Sequence, residues 1–376
     1  MSEREMPGII GIGKSVGRKL VTNHDIAEAV AQYRNESRGR NPDLLPRLRN
    51  SVLKMLGPIG TDTRYWADEE QCTSDLATEA SLEALRMAEK SPREITSITL
   101  ATMSQDYLGV PVAPVVQYRL ETKNGIPAKD IQAACAGTLY ALHDVFKDLT
   151  SQFGSGGPQL AIGAEVLSKH IHPSHPDTYG LFGDAAGALV IDMVEDRQGD
   201  ASKVQFHLGA DGQFQTDLLI PGGGTKHPTS MQTVEDGMHC LQMNGPIIEA
   251  QAIRRMAEST EAVLKKANLK PGEISLFIPH QANKEIIIKT AKLLNFPIER
   301  VYININRYGN TSAATIPLAM HDAYYEGRLN PDEMIVVASL GAGLVFGAAT
   351  LSTTGLPKRS TVSKLRFRLG SAFPSR

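Results

Sequence analysis

The chain has 376 residues, 41% of them hydrophobic and 21% charged, which allows one large domain or two tightly joined halves. A formal net charge of −2 excludes a general attraction to nucleic acid or anionic membranes. The three cysteines, Cys72, Cys135 and Cys240, form no C-x-x-C pair, which argues against a disulfide framework or a zinc site. With no signal peptide or transmembrane segment recognised, we expect a cytoplasmic protein without nucleic-acid or membrane partners.

Strands and helices are predicted to alternate along the first half. Short apolar runs predict strands, and apolar residues spaced three and four apart predict helices. Ser74 and Asp75 are the expected caps of a helix whose apolar positions between 76 and 87 face inward. In chain order we expect a strand at 9–12, a helical stretch at 25–56 interrupted around 39–42, the helix after residue 75, and strands at 95–102, 159–162 and 183–191.

The second half repeats this order. From Cys135 to Leu160 is 160 − 135 = 25 positions, and from Asn310 to Ile335 is 335 − 310 = 25 positions. The match predicts an internal duplication that places Cys135 and Asn310 at equivalent strand-to-helix corners. The expected elements are helices over 247–267, around 286–294 and up to about residue 327, with strands at 274–278, 301–305, 335–340 and 345–351.

Cys135 is the first candidate for chemistry. It lies where a short strand ending near Ile131 runs into small residues and then a helix with clean apolar spacing. Unpaired N–H groups and the dipole at a helix N-terminus favour a thiolate, which is the reactive form of cysteine. The small neighbours leave room for a substrate, so the sequence predicts a nucleophile.

Two further polar residues stand at the ends of apolar elements. His280 follows the predicted strand at 274–278, and Asn310 precedes a predicted helix. Taken singly, a cysteine is more often a small buried apolar residue, a histidine a hydrogen-bonded structural residue, and an Asn beside glycine a turn residue. Together they support thioester chemistry, with a thiolate that takes an acyl group and two donors that stabilise an enolate. The spacing alone leaves a cysteine hydrolase open.

Seven short motifs follow one another over most of the chain. They are 63–67 (TRYWA), 132–137 (QAACAG), 163–168 (GAEVLS), 182–188 (FGDAAGA), 207–212 (HLGADG), 280–283 (HQAN) and 308–314 (YGNTSAA). Several motifs at compatible spacing are more specific than one short pattern. Together they resemble the β-ketoacyl-acyl-carrier-protein synthase III family, within the thiolase-like condensing enzymes.

The resemblance implies a thiolase-like α/β fold of five αβαβα layers with two pseudo-duplicated halves, usually a homodimer. We expect an N-terminal half at 1–195 that carries the nucleophile and a C-terminal half at 196–354 that carries the histidine and asparagine. The remaining segment, 355–376, is a basic tail. Such a tail is most often solvated, although acidic carrier proteins could dock on it.

The resemblance also implies roles for individual residues. Cys135 would accept the acyl group, and His280 and Asn310 would bind the carbonyl of a second thioester, often malonyl, and stabilise the enolate left by decarboxylation. The backbone N–H of Cys135 and an amide of the 341–343 loop, taken as Ala342, would form the oxyanion hole. One such donor is typically worth about 3 kcal/mol of barrier. The family usually has glycine where Ala342 stands, but a backbone N–H survives that change.

Three further residues, Gly245, Ala282 and Asn283, are expected to bind substrate. No metal and no cofactor are implied, because coenzyme A or acyl-carrier phosphopantetheine thioesters are the substrates. An acyl carrier protein is therefore an expected partner beside acyl-coenzyme A. The tryptophan and arginine that clamp coenzyme A in housekeeping members are not recognisable at 53–58, and 34–58 is longer than in those members.

The presence of Cys135, His280 and Asn310 predicts a decarboxylating Claisen condensation of an acyl-Cys135 intermediate with a malonyl or β-ketoacyl thioester. The departures at 34–58 favour a specialised pathway, of polyketide or fatty-acid type. Gly109 stands where head-to-head condensing relatives have a catalytic glutamate, which argues against their chemistry. Two alternatives stay open: acyl transfer from Cys135 to an alcohol or amine, which intact Asn310 disfavours, and a non-catalytic partner subunit, which the presence of Cys135 disfavours.

Overall fold

Thirteen strands, grouped mainly into two mixed sheets, form the frame of the described chain. The computed structural model describes residues 5–37 and 39–359. The strands are β1 (Glu5–Val16), β2 (Lys19–Thr22), β3 (Thr63–Trp66), β4 (Ser97–Ala101), β5 (Ala128–Ile131), β6 (Gln159–Glu165), β7 (Ala185–Glu195), β8 (Gln205–Ala210), β9 (Leu218–Leu219), β10 (Gln242–Met243), β11 (Leu276–Pro279), β12 (Met334–Gly341) and β13 (Val345–Ser352).

Helices connect and cover these strands. The longest in the described residues, α8, has 23 residues, and no described helix is both long and apolar enough to span a bilayer. The helices are α1 (Asn23–Glu36), α2 (Leu45–Leu56), α3 (Thr73–Met87), α4 (Val112–Arg119), α5 (Gly137–Thr150), α6 (Pro176–Tyr179), α7 (Met231–Glu235), α8 (Gly245–Ala267), α9 (Lys284–Leu293), α10 (Ile305–Tyr308) and α11 (Thr315–Tyr325).

The two large sheets have the same strand pattern, which supports the predicted duplication. The first has the order β1-β7-β6-β4-β5, and the second has β8-β13-β12-β11. In each sheet the first two pairs in this order are antiparallel and the next is parallel. Val301 pairs in parallel with Phe277 at the position that β5 occupies in the first sheet.

Five layers result from the way the helices bury their apolar faces. Helices α3 and α4 pack on the outer side of the first sheet, and α8 and α9 on the outer side of the second. Helices α5 and α11 fill the space between the sheets and contact both. Ten of the eleven residues of α11 are buried, as expected for a helix surrounded by protein. The predicted αβαβα arrangement is confirmed.

The equivalent corners of the two halves differ from the prediction by three residues. A short 3₁₀ turn, Ala134–Ala136, precedes α5, and a matching turn, Ser312–Ala314, precedes α11. Each turn begins with a residue in the left-handed region, at φ 43° for Ala134 and 50° for Ser312. Cys135 therefore corresponds to Ala313, and Asn310 lies on the loop just before the second corner.

Two local predictions were wrong. The segment predicted as a strand at 301–305 makes one bridge at Val301 and then begins α10 at Ile305, because the Asn304 backbone N–H donates to the Gln281 side chain at 2.9 Å and not to a neighbouring strand. The caps expected at Ser74 and Asp75 lie inside the first turn of α3, which is capped from Cys72. The Asp75 carboxylate accepts the Cys72 backbone N–H at 2.8 Å, so it completes the cap from within the helix.

The predicted division into two halves and a basic tail stays a prediction. β7 ends at Glu195, the last residue of the expected N-terminal half, and α5 and α11 share one core, so the described chain joins the two halves tightly. The first part of the expected basic tail is packed, because Leu356 is buried and Arg359 donates to the carbonyl of Tyr324 at 3.1 Å. Residues 360–376 lie outside the described residues.

Candidate active site

Cys135 is held at the corner between β5 and α5, where the sequence places it. It lies in the 3₁₀ turn two residues before Gly137, the first residue of α5. Ser339 of β12 donates to the Cys135 carbonyl at 2.8 Å, which ties the corner to the second sheet. The adjacent left-handed Ala134 is a strained position for a residue with a side chain, so the surrounding structure fixes this turn.

The thiol of Cys135 is not preset as a thiolate. Burial, with a smaller contribution from the nearby Glu165 carboxylate, raises the pKa of Cys135 to about 12, although a hydrogen bond from Ser312 acts in the opposite direction. This corrects the expectation that the helix N-terminus leaves Cys135 ionised, because burial outweighs the favourable backbone contacts. Ionisation of the thiol therefore depends on a group that takes its proton.

One pocket of about 340 Å³ brings together the three side chains predicted for chemistry. Cys135, His280 and Asn310 come from three separate corners of the fold and are all buried. The three residues expected to bind substrate also line this pocket, which we call the Cys135 pocket. Its lining is Cys135, Leu181, Phe182, Leu218, Met243, Gly245, Pro246, Ile248, Glu249, Ala252, His280, Ala282, Asn283, Ile286, Asn310 and Leu340.

His280 directly follows β11 and is neutral at ordinary pH. Burial lowers the pKa of His280 to about 3. Its Nδ1 lies 2.7 Å from the Thr315 hydroxyl, which can also donate to the carbonyl of Ser312 at 3.0 Å. Because this hydroxyl has one proton, the Nε2–H tautomer of His280 requires that Thr315 donate to Nδ1 and not to the carbonyl. In that tautomer the neutral imidazole can donate one hydrogen bond into the pocket.

Asn310 is oriented by the turn that follows it. Its Oδ1 accepts the backbone N–H of Ser312 at 2.8 Å, which leaves its Nδ2 group as the donor that faces the pocket. Its backbone is fixed as well, because its N–H donates to Leu181 at 2.9 Å and its carbonyl accepts from Gly183 at 3.0 Å. Gly309 precedes it at φ 66°, a backbone conformation that favours glycine.

The loop expected to complete an oxyanion hole lies against the nucleophile. A Cβ at Gly341 would be 2.7 Å from the backbone nitrogen of Cys135, so only glycine fits this contact. Ala342 does not line the Cys135 pocket but a neighbouring cavity, together with Ala133 and Ala134. That cavity measures about 930 Å³ and shares Leu218 with the Cys135 pocket.

Three polar residues beside the predicted set were not singled out from the sequence. Glu165 is fully buried at the end of β6, Ser312 donates toward the Cys135 sulfur at 3.4 Å, and Thr315 binds His280. Glu165 had a signal of its own, since it is a charged residue that ends a buried strand, the same pattern that identified His280. Ser312 and Thr315 had no such signal.

A metal site is not formed by the side chains that the structure describes. In residues 5–37 and 39–359, no cluster of three or more histidine, cysteine, aspartate or glutamate side chains could hold a metal ion. The three cysteines, all within these ranges, are free thiols. The groups available for chemistry at this site are the buried polar side chains of the Cys135 pocket and the backbone amides beside Cys135.

Two family profiles match the two halves of the chain. The profile for 3-oxoacyl-[acyl-carrier-protein] synthase III matches residues 129–212, and the profile for the C-terminal part of that family matches 264–353. A β-ketoacyl-[acyl-carrier-protein] synthase III from Symbiobacterium thermophilum is 37% identical over 344 residues, which cover 92% of this chain and 97% of the relative.

Solved structures of other synthase III proteins have the same fold as this chain. The 3-oxoacyl-[acyl-carrier-protein] synthase III from Aquifex aeolicus is 34% identical, with a TM-score of 0.75 over 92% of this chain and 99% of that one. The synthase III from Thermus thermophilus is also 34% identical, with a TM-score of 0.76 over 92% and 98% of the two chains.

Proposed function

The chain belongs to the 3-oxoacyl-[acyl-carrier-protein] synthase III family, and on that premise we propose that Cys135, His280 and Asn310 carry out a decarboxylating Claisen condensation. The family makes the chain an acyltransferase of the condensing type. The observation that carries the assignment of residues is that three distant corners place these side chains on one buried pocket. Each has the donor or nucleophile that its step needs.

In the first step Cys135 takes the acyl group. Its sulfur attacks the carbonyl carbon of an acyl thioester, and the carrier thiolate leaves. The developing oxyanion is bound by the Cys135 backbone N–H and by an amide of the 341–343 loop, for which Ala342 is our candidate. These backbone donors are already in place, so they do not have to reorganise when the negative charge develops.

In the second step His280 and Asn310 act on the malonyl thioester. The Nε2–H of neutral His280 and the Nδ2–H of Asn310 donate to its carbonyl oxygen and stabilise the enolate as carbon dioxide leaves. The enolate carbon attacks the acyl-Cys135 carbonyl, a C–C bond forms, and the bond to sulfur breaks. A neutral histidine suits this step because it donates without placing a proton on the enolate carbon.

Two cavities provide room for the two parts of a thioester substrate. We place the phosphopantetheine arm, which coenzyme A and carrier proteins share, in the Cys135 pocket against Gly245, Ala282 and Asn283. We place the acyl chain in the larger cavity beside Ala133 and Ala134. The segment 53–58, where a coenzyme A clamp was not recognised, forms the last turn of α2 and the start of the 3₁₀ turn after it, and α2 packs on α1. The role in a specialised pathway stays a prediction.

Intact-protein mass spectrometry tests the proposed function. The protein is incubated with panels of acyl-coenzyme A and acyl-carrier thioesters, and we expect a mass gain equal to one acyl group that Cys135→Ala abolishes. The donor panel separates coenzyme A from carrier protein. Cys240→Ala is the matched control, because it removes another buried thiol and should leave the mass gain intact. A wild-type protein that no thioester acylates would exclude the function.

Exposed apolar residues support a homodimer, which we propose as the working form. Tyr107 and Leu108, in the segment before α4, are 70% and 82% exposed, and Tyr118 on α4 is 81% exposed. Large apolar side chains exposed on one segment and on the helix that follows it are typical of a protein contact surface. The neighbouring strand β5 is at the edge of its sheet, where it can meet a second copy.

Leu108→Asp is expected to weaken this dimer. A charge at the centre of an apolar contact must be desolvated without a partner, which costs several kcal/mol. Size-exclusion chromatography with light scattering should show a dimer for the wild-type protein and a larger monomer fraction for Leu108→Asp at equal concentration. Phe153→Asp changes another exposed apolar residue, outside this cluster, and should remain dimeric.

Acyl transfer to an alcohol or amine is not favoured. That reaction needs no enolate, yet the side chain of Asn310 is held with a donor toward the pocket. A non-catalytic subunit is disfavoured because Cys135 is present and lines that pocket.

The free thiols of the chain fit a reducing compartment, so we propose the cytoplasm as its location.

A further inference from the structure

A single hydroxyl connects the nucleophile to a buried carboxylate. Ser312 Oγ lies 3.4 Å from Cys135 Sγ and 3.2 Å from Glu165 Oε1. All three residues are buried, with Ser312 and Glu165 fully so. The Ser312 hydroxyl can donate its one proton to the Glu165 carboxylate while its oxygen accepts a proton from the Cys135 thiol. A proton can therefore pass from Cys135 to Glu165 without movement of the Ser312 oxygen.

Within residues 5–37 and 39–359, Glu165 accepts hydrogen bonds but forms no ion pair. Its carboxylate accepts from Ser104 Oγ at 2.6 Å, the Met103 backbone N–H at 3.2 Å and Thr102 Oγ1 at 3.3 Å, so its donors are neutral. Burial is the largest influence and raises the pKa of Glu165 to about 7, against the effect of these hydrogen bonds. Both protonation states are therefore accessible near neutral pH.

The other ionisable groups around this carboxylate are less suited to hold the thiol proton. Asp184 lies beside the adjoining strand β7, but its oxygens accept the backbone N–H groups of Ala67 and Ser168 at 2.7 and 2.8 Å. His280 lines the pocket with Cys135, yet burial lowers its pKa to about 3, which makes it a poor proton acceptor. Glu165 is the group that Ser312 joins directly to the sulfur.

We propose that Glu165 takes the thiol proton of Cys135 through Ser312 when the acyl-enzyme forms, and returns it when the acyl-enzyme breaks down. The proposal rests on the proposed function and deepens it. In this proton transfer Glu165 is a positioning residue: it does not touch the substrate, but it holds the proton that Cys135 must lose. A buried carboxylate is thereby neutral while negative charge develops next to it, which removes a repulsion from the enolate step.

The protons and bonds balance over one turnover. In acylation the S–H bond of Cys135 breaks, its proton passes to Ser312 Oγ, and the Ser312 hydroxyl proton passes to Glu165. The new C–S bond forms, and the departing carrier thiolate takes a proton from solvent. In condensation the C–S bond to Cys135 breaks, and the Glu165 proton returns through Ser312 to the sulfur. Each turnover therefore consumes one solvent proton, as the overall reaction requires.

The test is the pH dependence of single-turnover acylation, followed by rapid quenching and intact-protein mass spectrometry. In the wild-type protein we expect the rate to rise through an ionisation near pH 7 and then level off. Glu165→Gln and Ser312→Ala should both lack the plateau, rise by roughly tenfold per pH unit, and be about 10²-fold slower near pH 7.5. Alkylation of Cys135 by iodoacetamide should follow the same profiles without any thioester.

Ser104→Ala is the matched control. It removes another hydroxyl bound to Glu165 but not the link to Cys135, so its plateau should persist with a midpoint at higher pH. The proposal would be overturned if Ser104→Ala and Ser312→Ala lost the same fraction of the acylation rate. It would also be overturned if Glu165→Gln kept the wild-type pH profile of acylation. If Glu165→Gln does not fold, Ser312→Ala and the alkylation profile still decide it. Failure of the proposed function is seen separately, as wild-type protein that is alkylated but never acylated.

Discussion

Asn310→Asp should block condensation while it leaves acylation within a few-fold of wild type. The aspartate can still accept the Ser312 N–H through one oxygen, so the turn should keep its shape. Its other oxygen cannot donate to the malonyl carbonyl when ionised, and its charge opposes the enolate. Loss of one such donor costs about 10²- to 10³-fold in rate, and the added charge increases the loss.

The two half-reactions should be measured separately on the same preparation. Acyl-enzyme formation is followed by intact mass, and decay of the acyl-enzyme after addition of a malonyl thioester gives the condensation rate. Asn283→Asp introduces the same charge in the same pocket, where Asn283 caps α9 through Oδ1, and should affect mainly substrate binding. An equal loss of condensation in both variants would attribute the effect to charge in the pocket and not to Asn310.

The layers of the fold were predictable because the spacing of apolar residues in the sequence indicates which positions are buried. Strands β6 and β12 are buried along their whole length and are mainly apolar, and α5 has a clear apolar spacing, so both kinds of element could be recognised. The segment at 301–305 was not predictable in the same way. Its alternating residues suit a strand, but the second sheet accepts only Val301 before the chain turns into α10.

The members of the Cys135 pocket were predictable, but their protonation was not. Cys135, His280 and Asn310 each stand at the end of an element, where the chain leaves the core and side chains can meet a substrate. The pKa of Cys135 depends on burial by residues far away in sequence and on Glu165, 30 positions on (165 − 135 = 30), so local sequence suggested the wrong direction. Ser312 depends on contacts that form only when both halves are folded together.

Gly341→Ala should slow acylation of Cys135 by about tenfold to 10²-fold, with a smaller effect on global stability. A Cβ at this position meets the Cys135 nitrogen at 2.7 Å and the Ala133 carbonyl oxygen at 3.0 Å. Both neighbours are backbone atoms, so the corner that carries the nucleophile has to shift. Displacement of reacting groups by about 1 Å can reduce a rate by about 10²-fold.

Gly11→Ala provides a control for crowding without displacement of the site. A Cβ at Gly11 would meet the Ala84 carbonyl oxygen at 2.2 Å, but this contact is with α3 in an outer layer. Both variants should therefore unfold at lower denaturant concentration than wild type, whereas only Gly341→Ala should acylate slowly under conditions where it is folded. If both variants acylate equally slowly, general destabilisation explains the lower acylation rate. If both variants acylate as fast as wild type, the contact between Gly341 and Cys135 does not set the position of the nucleophile.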